Sequence, residues 1–217
     1  MKVISIVSQK GGSGKTTIAT SLAVQGVLEG LSTLLIDIDP QGSSYKWGQR
    51  RLNQEPPLDE PAVVSAQPIA LPSIIKNARD QGAELVIIDT APHSQTEARK
   101  ACEVADLVLI PCRPSIHDLD AVEDTVNTAK IANVLALVIL NQVHPNSPKQ
   151  FEDVKGALTS AYGARVMDTL YLASRGEFVH SATTGRTANE TEPDGKASKE
   201  IKALFDDLDL VLGLKEQ

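Results

Sequence analysis

Aromatic side chains are scarce in this chain of 217 residues: three Phe, three Tyr and one Trp, 3% in all. A core must therefore be built from Ile, Leu, Val and Ala, which suits a helix-covered sheet better than an aromatic-rich β-sandwich. Cysteine is equally sparse. Cys102 and Cys112 lie ten positions apart, with no Cys-x-x-Cys and no His at ligand spacing, which excludes a disulfide framework and a zinc site. No apolar run approaches the roughly 20 residues of a membrane span. Val3 to Val7 is too short for a secretory signal and runs straight into a glycine loop, so a cytoplasmic protein is expected. There is no excess of positive charge either. With 21 Lys+Arg against 28 Asp+Glu, the net charge is −7, and any anionic partner must be met by a local patch.

What the chain does have is alternation. The runs Val3–Val7, Thr33–Ile38, Leu85–Asp89, Leu107–Pro111, Val134–Asn141 and Val166–Leu172 are short and nearly all apolar, with helical segments between them. Continuous apolar runs fit parallel strands covered on both faces, so the expected fold class is α/β, a doubly wound, mainly parallel sheet flanked by helices. Residues 53–72 contain Pro56, Pro57, Pro61, Pro68 and Pro72 without a clear period and are expected to form a surface excursion within a single domain, 1–217. A last helix is predicted at about Lys196 to Leu212, with Ile201, Leu204, Phe205, Leu208, Val211 and Leu212 on its buried stripe and Gly213 as its stop. Its acidic polar face argues against a membrane anchor.

The strongest chemical signal is Lys10-Gly11-Gly12-Ser13-Gly14-Lys15-Thr16-Thr17, set between the first strand and the first helix. Glycines there let backbone N–H groups converge on an anion. The helix start adds its positive end, Lys15 can reach β- and γ-phosphates, and the Thr16 hydroxyl can ligate Mg²⁺. Gln9 replaces the first glycine of the usual phosphate-binding loop, and Lys10 is an additional cation. Asp39 and Asp89 fall at or just past strand ends, on the rim where an open parallel sheet binds ligands. Phosphoryl transfer needs neutralised charge and a placed nucleophile, which two such carboxylates can supply.

The loop resembles the deviant Walker A motif of the ParA/MinD ATPases, and most closely that of small plasmid partition proteins. LLIDIDPQG (34–42), VIIDTAP (86–92), LIPCRPSIHDL (109–119) and the pattern Arg175, Phe178, Ser181, Gly185 are similar to further segments of that family. The resemblance implies ATP and Mg²⁺ as cofactors, with Gly11 to Thr17 and Asn141 on the nucleotide, Asn141 at the adenine. It implies Thr16, Asp37 and Asp89 near the metal, Asp39 orienting the attacking water, and Lys10 reaching the partner's phosphates in an ATP-dependent sandwich dimer. It also implies non-specific DNA binding, with Arg175, Lys149 and Arg186 as contacts, and a ParB-like centromere-binding adaptor that stimulates slow basal hydrolysis. Between Arg175 and Lys202 five bases meet five acids, so the sequence shows no basic run. With its first strand beginning at residue 2, the chain is expected to lack an N-terminal helix-turn-helix. The alternatives are a protein-cargo positioning ATPase of the same family, a MinD-like membrane-cycling ATPase, an iron-protein relative, whose cluster cysteines Cys102 and Cys112 do not match, and a synthetase of dethiobiotin type, which has no need of Lys10.

Overall fold

The computed structural model describes residues 1–145 and 148–215, apart from the side chains of residues 116, 117, 148–150, 161, 162, 168, 169 and 181. Among the described residues seven strands form one sheet: β1 (Lys2–Ile6), β2 (Thr33–Asp37), β3 (Ala62–Ser65), β4 (Leu85–Asp89), β5 (Leu107–Cys112), β6 (Leu135–Val143) and β7 (Val166–Ala173). Their order is β3-β2-β4-β1-β5-β6-β7, and every described pairing is parallel. The chain leaves β1 toward β2 on one side and crosses back to β5 on the other, so the mouth of the sheet opens beyond the end of β1.

Nine helices cover the two faces among the described residues: α1 (Lys15–Leu28), α2 (Ser43–Leu52), α3 (Leu71–Asp80), α4 (Gln95–Val104), α5 (Ile116–Ile131), α6 (Pro148–Tyr162), α7 (Glu177–Thr183), α8 (Ala188–Thr191) and α9 (Lys196–Leu212). On one face α3 to α6 pack Ile75, Ala101, Val126 and Leu158 against Val3, Val86, Val108 and Val138. On the other, α1, α2 and α9 bring Ile18, Trp47 and Phe205 onto Ile4, Leu35, Ile87 and Leu109. Alternate residues of each strand serve opposite layers, which is why the strands read as unbroken apolar runs.

Strand β3 lies inside the stretch 53–72 that the sequence reads as a loop. It is four residues long, pairs only with β2 from Leu34↔Ala62 to Asp37↔Ser65, and follows Pro61 directly. A short edge strand with half-exposed valines has neither the length nor the alternation that marks a strand in sequence. Helix α2 settles on it through Gly48, where a Cβ would stand 2.7 Å from Val63 Cβ. Helix α9 has the predicted bounds and closes on Gly213 in the left-handed conformation. Val211, expected on its buried stripe, is 48% exposed; it lies roughly 80° from Ile201 around the helix, at the margin of that stripe.

Candidate nucleotide site

The loop from β1 to α1 is held from below. Lys15 Nζ donates to the Lys10 carbonyl at 3.2 Å, Asn141 Nδ2 to the Ser13 carbonyl at 2.7 Å, and Gln142 Nε2 to the Gly12 carbonyl at 2.9 Å. In a trans peptide the carbonyl and the following N–H point opposite ways, so these bonds turn the N–H groups of Gly11, Ser13 and Gly14 outward. The result is a concave row of donors at the start of a helix, a geometry that binds anions. Gly14 has φ +95°, and a Cβ there would fall 2.1 Å from Asn141 Nδ2, so no other residue fits. Burial pulls the Lys15 ammonium below the usual lysine range, with Asp89 and Asp39 pulling the other way.

Three carboxylates ring the loop. Asp37 and Asp89 end β2 and β4 as register partners, and both are fully buried. Asp89 Oδ2 accepts from Thr16 Oγ1 at 2.8 Å and from Ser44 Oγ at 2.6 Å, while its Oδ1 has no partner among the described residues. Burial pushes this carboxyl up to about 7, opposed by those two hydroxyls. Asp37 differs: Oδ1 accepts the Asp39 N–H at 2.9 Å and Oδ2 the Tyr45 N–H at 2.8 Å, so it pins both ends of the segment that carries Asp39. Burial raises its pKa as well. Asp39 itself is half-buried, with Oδ1 accepting the Gln41 N–H at 2.8 Å.

The donor set is all oxygen, and its innermost carboxylate oxygen is orphaned, which fits a hard divalent cation such as Mg²⁺. Among the described residues no group of three or more His, Cys, Asp or Glu could hold a metal alone. That suits a cation shared with phosphate oxygens rather than caged by protein.

The remaining candidates scatter. Asn141 sits within β6, its amide beneath the loop rather than at a strand end. Arg175 Nε and Nη2 both donate to Glu200 Oε1, at 3.0 and 2.5 Å, tying the end of β7 to α9 with both side chains under a fifth exposed. Arg186 instead lines a cavity of about 130 Å³ with Thr16, Thr17, Trp47 and Arg50. Lys149 opens α6, and its side chain lies outside the described residues, as does that of Ser181. Four residues of the site escape sequence reasoning. Ser44 and Gln142 bond as above, while Arg113 and His93 overhang the loop, 3.6 and 3.9 Å from where Cβ atoms on Gly12 and Gly11 would stand. Each left a signal of position without a role: Arg113 lies inside the segment 109–119, His93 directly follows 86–92, Ser44 comes two residues after 34–42, and Gln142 follows Asn141.

The family described as the CobQ/CobB/MinD/ParA nucleotide binding domain matches residues 4–185. A carboxysome distribution maintenance protein A of Gloeobacter kilaueensis is 31% identical over 156 residues, 67% of this chain and 65% of that protein, so the match stops just short of two thirds of the relative's length. The chromosome-partitioning ATPase Soj of Thermus thermophilus is 24% identical over 94% of both chains. In fold, the septum site-determining protein MinD of Pyrococcus horikoshii, solved with Mg-ADP, superposes with a TM-score of 0.76 at 20% identity, covering 99% of this chain and 98% of that one. No helix among the described residues is long and apolar enough to cross a membrane. A parallel sheet with this loop at its mouth, matched along most of its length, places the chain in the CobQ/CobB/MinD/ParA family of P-loop nucleotide-binding proteins.

Proposed function

We propose that residues 1–217 act as a single partition-type ATPase domain. It binds ATP with Mg²⁺ and dimerises face to face, so that Lys10 of each subunit reaches the other's phosphates. The dimer holds duplex DNA without sequence preference, and an adaptor protein of ParB type releases it by stimulating hydrolysis. The observation that carries this reading is the convergence of Thr16 and Ser44 on Asp89 beside a loop that presents both Lys10 and Lys15. Thr16 and Asp89 would hold the cation, which supplies charge neutralisation on the phosphates. Lys15 adds a second positive charge there, and Asp39, on a segment braced by Asp37, orients a water. Asn141, already fixed to the loop, is the residue nearest in role to an adenine reader. Arg175, Arg186 and Lys149 are proposed to meet DNA phosphates when two subunits set their bases side by side.

Fluorescence anisotropy on random duplex tests this, at two salt concentrations, with non-hydrolysed ATP analogue, ADP or no nucleotide. The expected result is binding with the analogue alone, indifferent to sequence and falling steeply with salt. Absence of binding at low salt with analogue present refutes the DNA function. A second reading, positioning of a protein cargo by the same cycle, is favoured by the carboxysome relative and shares that DNA result; it differs in which adaptor stimulates hydrolysis. Membrane cycling is opposed by Asp206, Asp207 and Asp209 on α9, and ATP-dependent sedimentation with anionic vesicles in place of DNA would reinstate it.

A further inference from the structure

The phosphate loop contains no arginine, yet the fold brings one to it. Arg113 follows β5 directly, and β5 is hydrogen-bonded to β1, so the two strand ends deliver the arginine and the loop to the same rim. Its guanidinium is fixed. Nε donates to Asp118 Oδ2 at 2.6 Å and Nη2 donates to Asp118 Oδ1 at 3.0 Å, a fork that sets the plane of the group as well as its position. Asp118 is 3% exposed and Arg113 33%. The carboxylate is thus an internal anchor and the arginine the arm it steadies.

Nη1 is the nitrogen this fork leaves over. It lies 3.6 Å from where a Cβ on Gly12 would stand, the nearest atom to that point, and so it overlooks the loop where the Ser13 and Gly14 N–H groups turn outward. Stabilising the first turn of α5 would need Asp118 alone and would place no demand on where the arginine points. A half-exposed cation aimed at an anion-binding loop by a buried carboxylate is the arrangement that stabilises charge developing on phosphoryl oxygens.

We infer that Arg113 contacts the terminal phosphates of the bound nucleotide and that Asp118 is its positioning residue. This rests on the ATPase reading above. As water adds to the γ-phosphorus, the bond from that phosphorus to the bridging oxygen breaks, giving ADP, phosphate and one released proton. Arg113 keeps its own proton, forms no covalent bond and acts by charge.

The test uses the full chain with Arg113→Ala, Arg113→Lys and Asp118→Asn. It measures affinity for ADP and for ADP–aluminium fluoride, single-turnover rate at saturating ATP, and thermal unfolding. Arg113→Ala should bind ADP within about twofold of the unsubstituted chain, bind ADP–aluminium fluoride about tenfold more weakly or worse, and hydrolyse about 100-fold more slowly. Arg113→Lys should not restore the rate, because an ammonium cannot keep the fork and spare a donor. Asp118→Asn should fall between, since the cation remains but is no longer aimed. If Arg113→Ala does not fold, the lysine variant carries the test, with the same losses expected. Unchanged rate and aluminium fluoride affinity in the arginine variants overturn the inference alone. If the unsubstituted chain binds ATP no better than Lys15→Ala, the ATPase reading fails and this one with it.

Discussion

Replacing Asp89 with Asn should stabilise the nucleotide-free protein while destroying its use of Mg²⁺. The side chain is fully buried, with one oxygen orphaned and its carboxyl pushed up to about 7 by desolvation. Because the folded-state pKa lies above the unfolded value, the folded chain binds the extra proton, and this group's contribution to stability is lost as pH rises from about 4 through about 7. At pH 8 the ionised carboxylate thus costs on the order of 4 kcal/mol, the work of deprotonating a group held at about 7 in place of its ordinary value. An amide of the same shape avoids that cost and can still meet the Thr16 and Ser44 hydroxyls. Thermal unfolding in chelator should show Asp89→Asn more stable than wild type by about 8–16 °C at pH 8, a domain of this size moving about 2–4 °C per kcal/mol. Near pH 5 the difference should shrink, since the wild-type carboxyl is then neutral. Adding Mg-ATP should reverse the order by stabilising only the wild type. A variant less stable than wild type at both pH values would refute the account of Asp89 as a carboxylate kept for its cation.

Lys15→Ala should abolish ATP binding, whereas Lys10→Ala should retain it and lose dimerisation and hydrolysis; equilibrium binding and size exclusion compare them, and equal loss of affinity makes Lys10 only another ligand of its own loop. Asp39→Ala should keep nucleotide and Mg²⁺ bound yet trap an ATP-loaded dimer on size exclusion, because water placement is lost while ground-state contacts stay; wild-type turnover removes that role. Arg51 donates to the carbonyls of Gly185 and Glu60, pairs with Glu190 and stacks over Trp47. Arg51→Ala should cost about 3 kcal/mol in denaturant unfolding, as it leaves the Glu190 carboxylate, 13% exposed, without its cation, and a loss under about 1 kcal/mol would contradict this. Glu200→Gln should loosen the fork on Arg175 and raise DNA affinity at low salt with ATP analogue present; unchanged anisotropy strikes Arg175 from the proposed contacts.

The parts legible in sequence are those encoded by neighbours along the chain. Leu85 to Asp89 is a strand with the predicted bounds, and α9 starts and stops where its stripe and Gly213 indicate, because period and capping are local. Asp39 and Asp89 are legible as strand-end residues, but the partners of the site's carboxylates are not. Asp37 spends both oxygens on N–H groups two and eight positions on, a matter of how the turn curls. Ser44 meets Asp89 across 45 residues, and Gln142 meets Gly12 across 130. Contacts of that separation exist only once the sheet order has set β4 on one side of β1 and β5, followed by β6, on the other. Arg175 shows the converse: the resemblance implies a DNA contact there, and the fold supplies Glu200 from 25 residues away.

The chain contains a single tryptophan, and Trp47 lies on α2, three residues past the serine that touches Asp89. Its ring is 2% exposed, and its Nε1 donates to the Arg186 carbonyl at 3.2 Å. Intrinsic fluorescence therefore comes from one indole on the helix whose Ser44 donates to Asp89, with no background from a second. Any tilt of α2 that accompanies nucleotide loading must alter that indole's hydrogen bond or its burial, and so its emission. Stopped-flow mixing of the unlabelled protein with Mg-ATP can time the event without a mutation or a dye.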